Sequence, residues 1–491
     1  MKYLLSRKEK MTELFILAFI TIFGIGSQFF TNLSYSLNQG VIQTSFGIGS
    51  KDLVIPAIIG NFAFAAGTPL GHTFSHRLSF KRSYMLFISL FLLGSVIGLI
   101  SFNLPVITIA KTIQGFSSGV LFFILLPKLF KSFPKRFRNI FLFMIIVGMF
   151  GANALGGLSG SFSVELNEWK WIFLTNVIAS ILCLILGAFH LKRQEYYVKE
   201  THHVDWAVIV HSSIGIIAMT IPMVILVHNG LSTIWFWISI AFAVIYIIIF
   251  LAANSRSLYP IMHFKSLLSI KPFFGAIMAI STHLTLLTAI AGINIFLLKI
   301  LRTPFEINAK FYAFFFVGVI IAATIKMLFF DKLGAGILGV FGAVSILYVS
   351  VHWIILRDTV NLPLLYTQGA LLGFGASMTL VSGSMATLLD GDLDEAPDRA
   401  RTMHSIRNLF AALLVPVISF ITKANVHNGV EELKSQNITS KAEFLTKFQD
   451  VAIYAGHVVF YLMIFFNIIM LISSIIQIIL GKGRRITPKP N

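Results

Sequence analysis

The sequence predicts an all-α polytopic membrane protein with fourteen transmembrane helices, arranged as two six-helix bundles plus an inserted helix pair. Three observations carry this. Of the 491 residues, 56% are hydrophobic and 12% charged, a balance foreign to soluble domains. The apolar residues fall in long runs, each near the roughly 20 residues that a bilayer crossing needs. The basic residues, which give a formal net charge of +18, sit in short segments between those runs. No basic domain exists that could hold a duplex, so nucleic acid is excluded as a partner and the charge reads as a topology signal. The single cysteine, Cys183, lies within an apolar run, which excludes an internal disulfide and a cysteine metal cluster. The first apolar run is too long for a cleavable signal peptide.

In order, the crossings are residues 12–37, 53–70, 83–101, 105–126, 139–160, 171–191, 206–227, 233–253, 273–298, 308–330, 337–356, 363–388, 402–421 and 451–480. With the N-terminus inside, the inner segments hold 26 of the 38 Lys and Arg, the outer segments ten, and two, Lys111 and Lys326, lie within crossings. Arg399, Arg401 and Arg407 are counted with the inner side. Excess positive charge marks cytoplasmic segments. The expected location is therefore the cell (inner) membrane, multi-pass, with both termini cytoplasmic.

A faint internal repeat divides the chain. Gln114-Gly115 with Gly119 recurs as Gln368-Gly369 with Gly373, and His76-Arg77-Leu78 recurs as Asp331-Lys332-Leu333. Parallel halves with a site between them are a transporter plan. The repeat predicts an N-terminal bundle at 1–200, an inserted pair at 201–265 and a C-terminal bundle at 266–491.

Polar residues inside crossings are the candidates for function. Lys111 lies two turns inside its run, where a charge costs on the order of 3 kcal/mol and needs a cavity or a partner. Gln114 follows one turn later on the same face. Gly115 and Gly119, four apart, leave a smooth strip for a neighbouring helix. In the first crossing Gln28, Asn32, Tyr35 and Gln39 fall at i, i+4, i+7 and i+11, one polar stripe that would not face lipid. The ninth crossing sets His283 and Asn294 opposite a strip of small residues. His283 is near mid-membrane and is the residue type that titrates near neutrality. Asn61 in the second crossing, Asn153 in the fifth and Gln368 in the twelfth complete the set. The plainer reading of each amide is a hydrogen bond gluing helices together; for Lys111 and Lys326 it is snorkelling to an interface. No Asp or Glu lies deep in any crossing, so a proton relay would need another titrating group.

These residues resemble a family. Lys111-Thr112-Ile113-Gln114-Gly115 with Gly119 resembles the Arg-x-x-Gln-Gly stretch of helix 4 in the major facilitator superfamily. Trp169-Lys170-Trp171-Ile172-Phe173 with Asn176 is similar to the start of helix 6 in its fourteen-helix drug:proton antiporters. The outer segment 425–450 and the stretch 401–408 leading into helix 13 resemble theirs too. The family's gating loop, Gly-x-x-x-Asp-Arg-x-Gly-Arg between helices 2 and 3, keeps Gly71 and the basic Arg77, with Ser75, His76 and Leu78 departing from it. The second copy, Asp331-Lys332-Leu333-Gly334, is nearer the pattern. The antiporter motif of helix 5 appears as Ala152-Asn153 before Gly156-Gly157, without its proline, and Phe29 stands where the family has a helix 1 aspartate.

The resemblance implies a secondary active transporter, with protons or another ion as coupling partner, exporting small amphipathic or hydrophobic compounds. Gln28, Asn32, Tyr35, Lys111, Gln114 and His283 are expected to line the cavity, and Gly71, Arg77, Asp331 and Lys332 to form the gating loops. The alternatives are a carrier of an anionic metabolite, siderophore or lipid, and a non-transporting receptor or scaffold. No catalytic set, nucleotide loop or metal spacing is present, so no enzyme activity, metal or cofactor is expected.

Overall fold

The structure, a computed structural model, describes residues 7–132, 138–191, 205–392, 394–436 and 440–483. Residues 1–6 and 484–491 and the loop charges at 133–137 and 192–204 lie outside the described residues. The elements are helices: α1 (Arg7–Phe46), α2 (Val54–Arg77), α3 (Phe80–Leu99), α4 (Leu104–Ser132), α5 (Arg138–Glu165), α6 (Trp171–His190), α7 (Trp206–Asn229), α8 (Ile234–Arg256), a single turn α9 (Phe264–Leu267), α10 (Ile270–Asn294), α11 (Phe305–Trp353), α12 (Leu362–Leu389), α13 (Ala396–Ser435) and α14 (Lys441–Ile479). Helix is the form that satisfies every backbone group without water. Polar side chains at the ends fix several starts. Ser79 accepts from Arg82 N, Asp205 from Ala207 N and Val208 N, and Asn361 from Leu364 N.

Thirteen of these helices are long and apolar enough to cross a membrane. One of them, α11, is two crossings folded back at Gly334, whose φ of 81° and ψ of 173° no other residue adopts readily. That makes fourteen crossings among the described residues, as the sequence predicts. The sequence-predicted outer segment 425–450 is not a loop. It continues α13, of 40 residues, and α14, of 39. At 1.5 Å per residue such helices span about 60 Å, twice the hydrocarbon thickness, so they project together as an exposed hairpin. Lys434–Glu431 and Lys447–Glu443 ion pairs lie on it.

In the first half, α4 packs on α1, α2 and α3, α5 on α1, and α6 on α3. In the second, α10 packs on α12 and α14, α11 on α12 and α14, and α13 on α14. The repeat read from sequence is visible as matched packing. Gly115 and Gly119 of α4 let α2 approach so closely that an added Cβ would strike the carbonyl oxygens of Gly60 and Phe64. Gly369 and Gly373 of α12 meet Phe311 and Phe315 of α11 in the same way. Gln114 Nε2 donates to Ser95 Oγ of α3 at 2.9 Å, and Gln368 Oε1 accepts from Trp353 Nε1 of α11 at 2.8 Å.

Two main helix pairs join the halves. Helix α5 lies along the first crossing of α11 from one end to the other: Asn308 Nδ2 donates to Ser161 Oγ at 3.3 Å, Gly157 sits under Tyr312, and Asn139 Nδ2 reaches Asp331 Oδ2 at 3.5 Å. On the other side α2 meets α13. Helices α7 and α8 pack on each other, and α7 touches both α2 and α13. Below, the end at which α1 begins and α14 finishes is the terminal end.

Candidate functional site

Between the halves lies a cavity of about 150 Å³. Helix α1 supplies Gln28, Phe29, Asn32, Ser36 and Gln39; α2 supplies Asn61 and Phe64; α5 supplies Asn153. The second half supplies His283, Leu287 and Ile290 from α10 and Asn408, Val415 and Ile418 from α13. All of these except Asn408, which lies on the terminal side of α13, sit from about mid-helix toward the end opposite the termini, and Ser36 at that end is exposed. The cavity therefore opens away from the terminal end.

Its polar wall is one connected network. Asn61 Oδ1 accepts from Asn32 Nδ2 at 2.6 Å and from Gln28 Nε2 at 3.1 Å. Gln28 Nε2 also reaches Asn32 Oδ1 at 3.2 Å, and Gln28 Oε1 accepts from Ser118 Oγ at 3.4 Å. Lys111 stands behind Asn32. Its Nζ donates to Asn32 Oδ1 at 3.2 Å and to Thr31 O at 3.4 Å, and lies 5.1 Å from the centre of the Tyr35 ring. Lys111 is 2% exposed and has no carboxylate within ion-pair distance among the described residues. It does not snorkel. On the opposite wall the His283 ring meets Phe29 edge-on, centroids 5.8 Å apart.

The floor joins the halves. Asn408 Nδ2 donates to Thr68 Oγ1 at 3.0 Å. Arg407 turns its Nε and Nη2 to Asn408 Oδ1 and lies over the Phe122 ring, 5.6 Å from its centre. The His404 ring packs against Phe122 and Phe123, centroids 5.1 and 5.9 Å away. This layer of Phe122 and Phe123 of α4 against His404 and Arg407 of α13 separates the cavity from the terminal end.

The structure brings together Gln28, Asn32, Asn61, Asn153 and His283, with Lys111 one side chain behind. It does not bring the other candidates there, for a common reason: each is bonded within its own bundle. Tyr35 OH donates to Leu53 O at 3.0 Å, Gln114 and Gln368 hold the helix pairs described above, and Asn294 Oδ1 accepts from Tyr312 OH at 2.9 Å. Of the gating residues, Gly71 packs its Cα against Val120 and Phe123 of α4. Asp331 lies at the terminal end opposite Asn139, while Lys332 is exposed, 5.7 Å from the Phe329 ring centre. The side chain of Arg77 lies outside the described residues.

Three residues change place from the sequence reading. Arg407, counted with the inner charges, is wholly buried in α13. Arg399, also buried, caps the end of α12 by donating to Thr387 O and Leu388 O, both at 2.9 Å. Lys326 is wholly buried instead of snorkelling, because α5 covers that crossing along its length. The sequence reading missed Asn408, Arg407 and His404 as site residues. Their signal was position: Arg407 and Asn408 stand well inside the thirteenth run yet read as part of the loop.

Outside the crossings, one polar cluster lies at the terminal end. Arg401 Nη2 bonds Asp398 Oδ1 at 2.5 Å and lies 3.1 Å from His263 Nδ1. Burial pushes the His263 imidazole below its ordinary value; Asp398 opposes this and Arg401 adds to it.

A cavity lined by amides between two helical halves, closed at one end and open at the other, is the arrangement that an alternating-access transporter uses. No family model matches the chain. Over 98% of its length it is 24% identical to YubD of Bacillus subtilis (strain 168), an uncharacterized MFS-type transporter, and covers 92% of that protein. A stretch of 134 residues is 32% identical to the multidrug efflux pump SdrM of Staphylococcus aureus (strain N315), 26% of this chain and 29% of that one. Another of 164 residues is 26% identical to EmrY of Escherichia coli (strain K12), a probable multidrug resistance protein, covering 33% of this chain and 29% of the other. The chain is a multi-pass secondary transporter, similar over almost its whole length to a transporter of the major facilitator type and in part to drug-efflux pumps.

Proposed function

We propose that the protein exports small amphipathic or hydrophobic compounds by alternating access, coupled to protons, with both termini in the cytoplasm. The observation that carries this reading is the cavity. It pairs apolar surface from Phe29, Phe64, Leu287 and Ile418 with a few convergent amides, the composition of a small-molecule site. It also lies between halves that touch through two helix pairs, α5 with α11 and α2 with α13, about which they could rock. On this reading 1–200 and 266–491 are the moving bundles. The pair 201–265 is an insertion that flanks the α2–α13 contact. The open end faces outward, so the described state is the one that releases cargo. The relatives named as multidrug pumps support the substrate class.

Coupling has no deep carboxylate to use. Lys111 is the group best placed to change its bonding between states, because it is buried and held by one wall amide and one carbonyl. Arg77 and Lys332 would act at the inner rim.

The experiment is dye transport in inverted membrane vesicles carrying the protein, with and without an imposed proton gradient. Gradient-dependent uptake of amphipathic dyes into those vesicles is expected. Movement only in the opposite direction, or no dependence on the gradient across a broad panel, would contradict the reading.

A further inference from the structure

We propose that the cavity is built for an amphiphile carrying one negative charge, drawn in by the positive field that Arg407 and Lys111 set up behind its wall. The inference rests on the export reading above and names the cargo that reading leaves open.

Charge is the first ground. Among the described residues no carboxylate lines the cavity, yet cations stand behind its wall at two depths. At the floor Arg407 commits Nε and Nη2 to Asn408 Oδ1 at 3.3 and 3.2 Å, while its Nη1 is buried without a hydrogen-bond partner. A buried guanidinium with an unused N–H and no counter-ion is costly to keep, and its fork suits a carboxylate or phosphate oxygen. At the mouth Lys423 Nζ is likewise buried without a partner. Lys299, Lys51 and Asp52 lie within electrostatic reach of it. The one acid of that group, Asp52, is 3.8 Å from His228. Positive potential therefore runs from mouth to floor, which raises the local concentration of anions.

Arrangement is the second ground. Each half places a cation directly behind a wall amide: Lys111 behind Asn32 in α1, and Arg407 behind Asn408 in α13. In both pairs the amide carbonyl is turned toward the cation. An anionic headgroup can take the place of that carbonyl with a charge-assisted bond, a neutral oxygen only with an ordinary one, and a trimethylammonium group, which has no acceptor, not at all. The apolar remainder of the wall takes the tail.

The test uses the full-length protein in detergent and three probes sharing a decyl tail: decanoate, decanol and decyltrimethylammonium. Calorimetric affinities should favour decanoate by about ten-fold or more over both others. Arg407→Gln should cost decanoate about ten-fold and leave decanol within about two-fold, with Arg407→Lys recovering part of the loss. Equal or tighter binding of the trimethylammonium probe, or unchanged decanoate affinity in Arg407→Gln, overturns the proposal. Should Arg407→Gln fail to fold, Lys111→Gln carries the same comparison with the same expected outcomes. The two readings fail separately. Dye export without decanoate preference sinks the anion site alone; decanoate preference without export in vesicles sinks the export reading alone.

Discussion

Asn408 of α13 and Thr68 of α2 are hydrogen-bonded across 3.0 Å, although 340 residues separate them in the chain. This bond closes the floor of the cavity and ties one half of the protein to the other. Asn408 also receives two donors of the Arg407 guanidinium, so one amide serves both the latch and the cation. The two substitutions are therefore unequal. Thr68→Val keeps the shape and removes two neutral hydrogen bonds, the one from Asn408 and the hydroxyl's own to Phe64 O at 2.8 Å, a loss of about 1–2 kcal/mol. Asn408→Ala also strips two donors of a buried cation of their acceptor, which raises the cost to about 2–4 kcal/mol. Thermal unfolding of the purified variants checks the order; a Thr68→Val loss as large as that of Asn408→Ala would refute it.

Lys111 is expected to separate stability from activity. Lys111→Met keeps the length of the chain and removes a buried charge that has no carboxylate partner. Replacing such a charge by an apolar side chain of similar volume is neutral or stabilising. The unfolding midpoint should stay or rise, while gradient-dependent dye transport falls by about ten-fold or more. A variant that is both stable and fully active would remove Lys111 from the mechanism.

The glycine strips predict opposite signs at different places. Gly119→Ala and its repeat mate Gly373→Ala would drive a Cβ into the backbone of Phe64 or Phe315, with an overpacking cost of about 1–3 kcal/mol each. Gly40, also helical, has nothing within 4 Å of an added Cβ. Gly40→Ala should stabilise by about 0.5–1 kcal/mol. Unfolding midpoints of the three variants decide the matter.

The Arg401–Asp398–His263 cluster at the terminal end predicts a pH response. Burial holds His263 below its ordinary value, so the fold prefers the neutral ring. Below about pH 6.5 the unfolded chain binds the proton more readily than the folded one. Stability should therefore fall as pH drops through that value toward the depressed one, and be unaffected above it. His263→Gln should flatten this part of the profile, read as unfolding midpoints between about pH 7.5 and 5. An unchanged slope would mean that another group carries it.

Much of the architecture was legible because membranes punish exceptions. The crossings, the internal repeat and the polar stripe on α1 follow from composition and period, and Gln28 and Asn32 are where that stripe places them. Helical period alone could not say which amide faces water and which faces a partner helix. Gln114, Gln368 and Asn294 carry the same signal as Asn61 and Asn153, and only packing tells them apart. Tyr35 shares the stripe, but its long side chain reaches sideways to Leu53. The floor was hidden for another reason: Arg407 and Asn408 follow a run of loop charges, and no local pattern says where in that run the membrane begins. The extensions of α13 and α14 are polar enough to read as a loop, and helicity beyond the membrane leaves no apolar trace.

The central claim is a cavity between the halves, open away from the terminal end and closed at the Phe122–His404 layer. The one natural cysteine, Cys183, is buried, which leaves introduced cysteines as clean reporters. The most direct measurement labels Ser36→Cys and His404→Cys with a membrane-impermeant maleimide, applied separately to each face of sealed vesicles whose orientation is fixed by a C-terminal tag. Ser36→Cys should react from the face opposite the tag, and His404→Cys should not react from that face. Reaction of Ser36→Cys only from the tagged face, or from neither, would contradict the account.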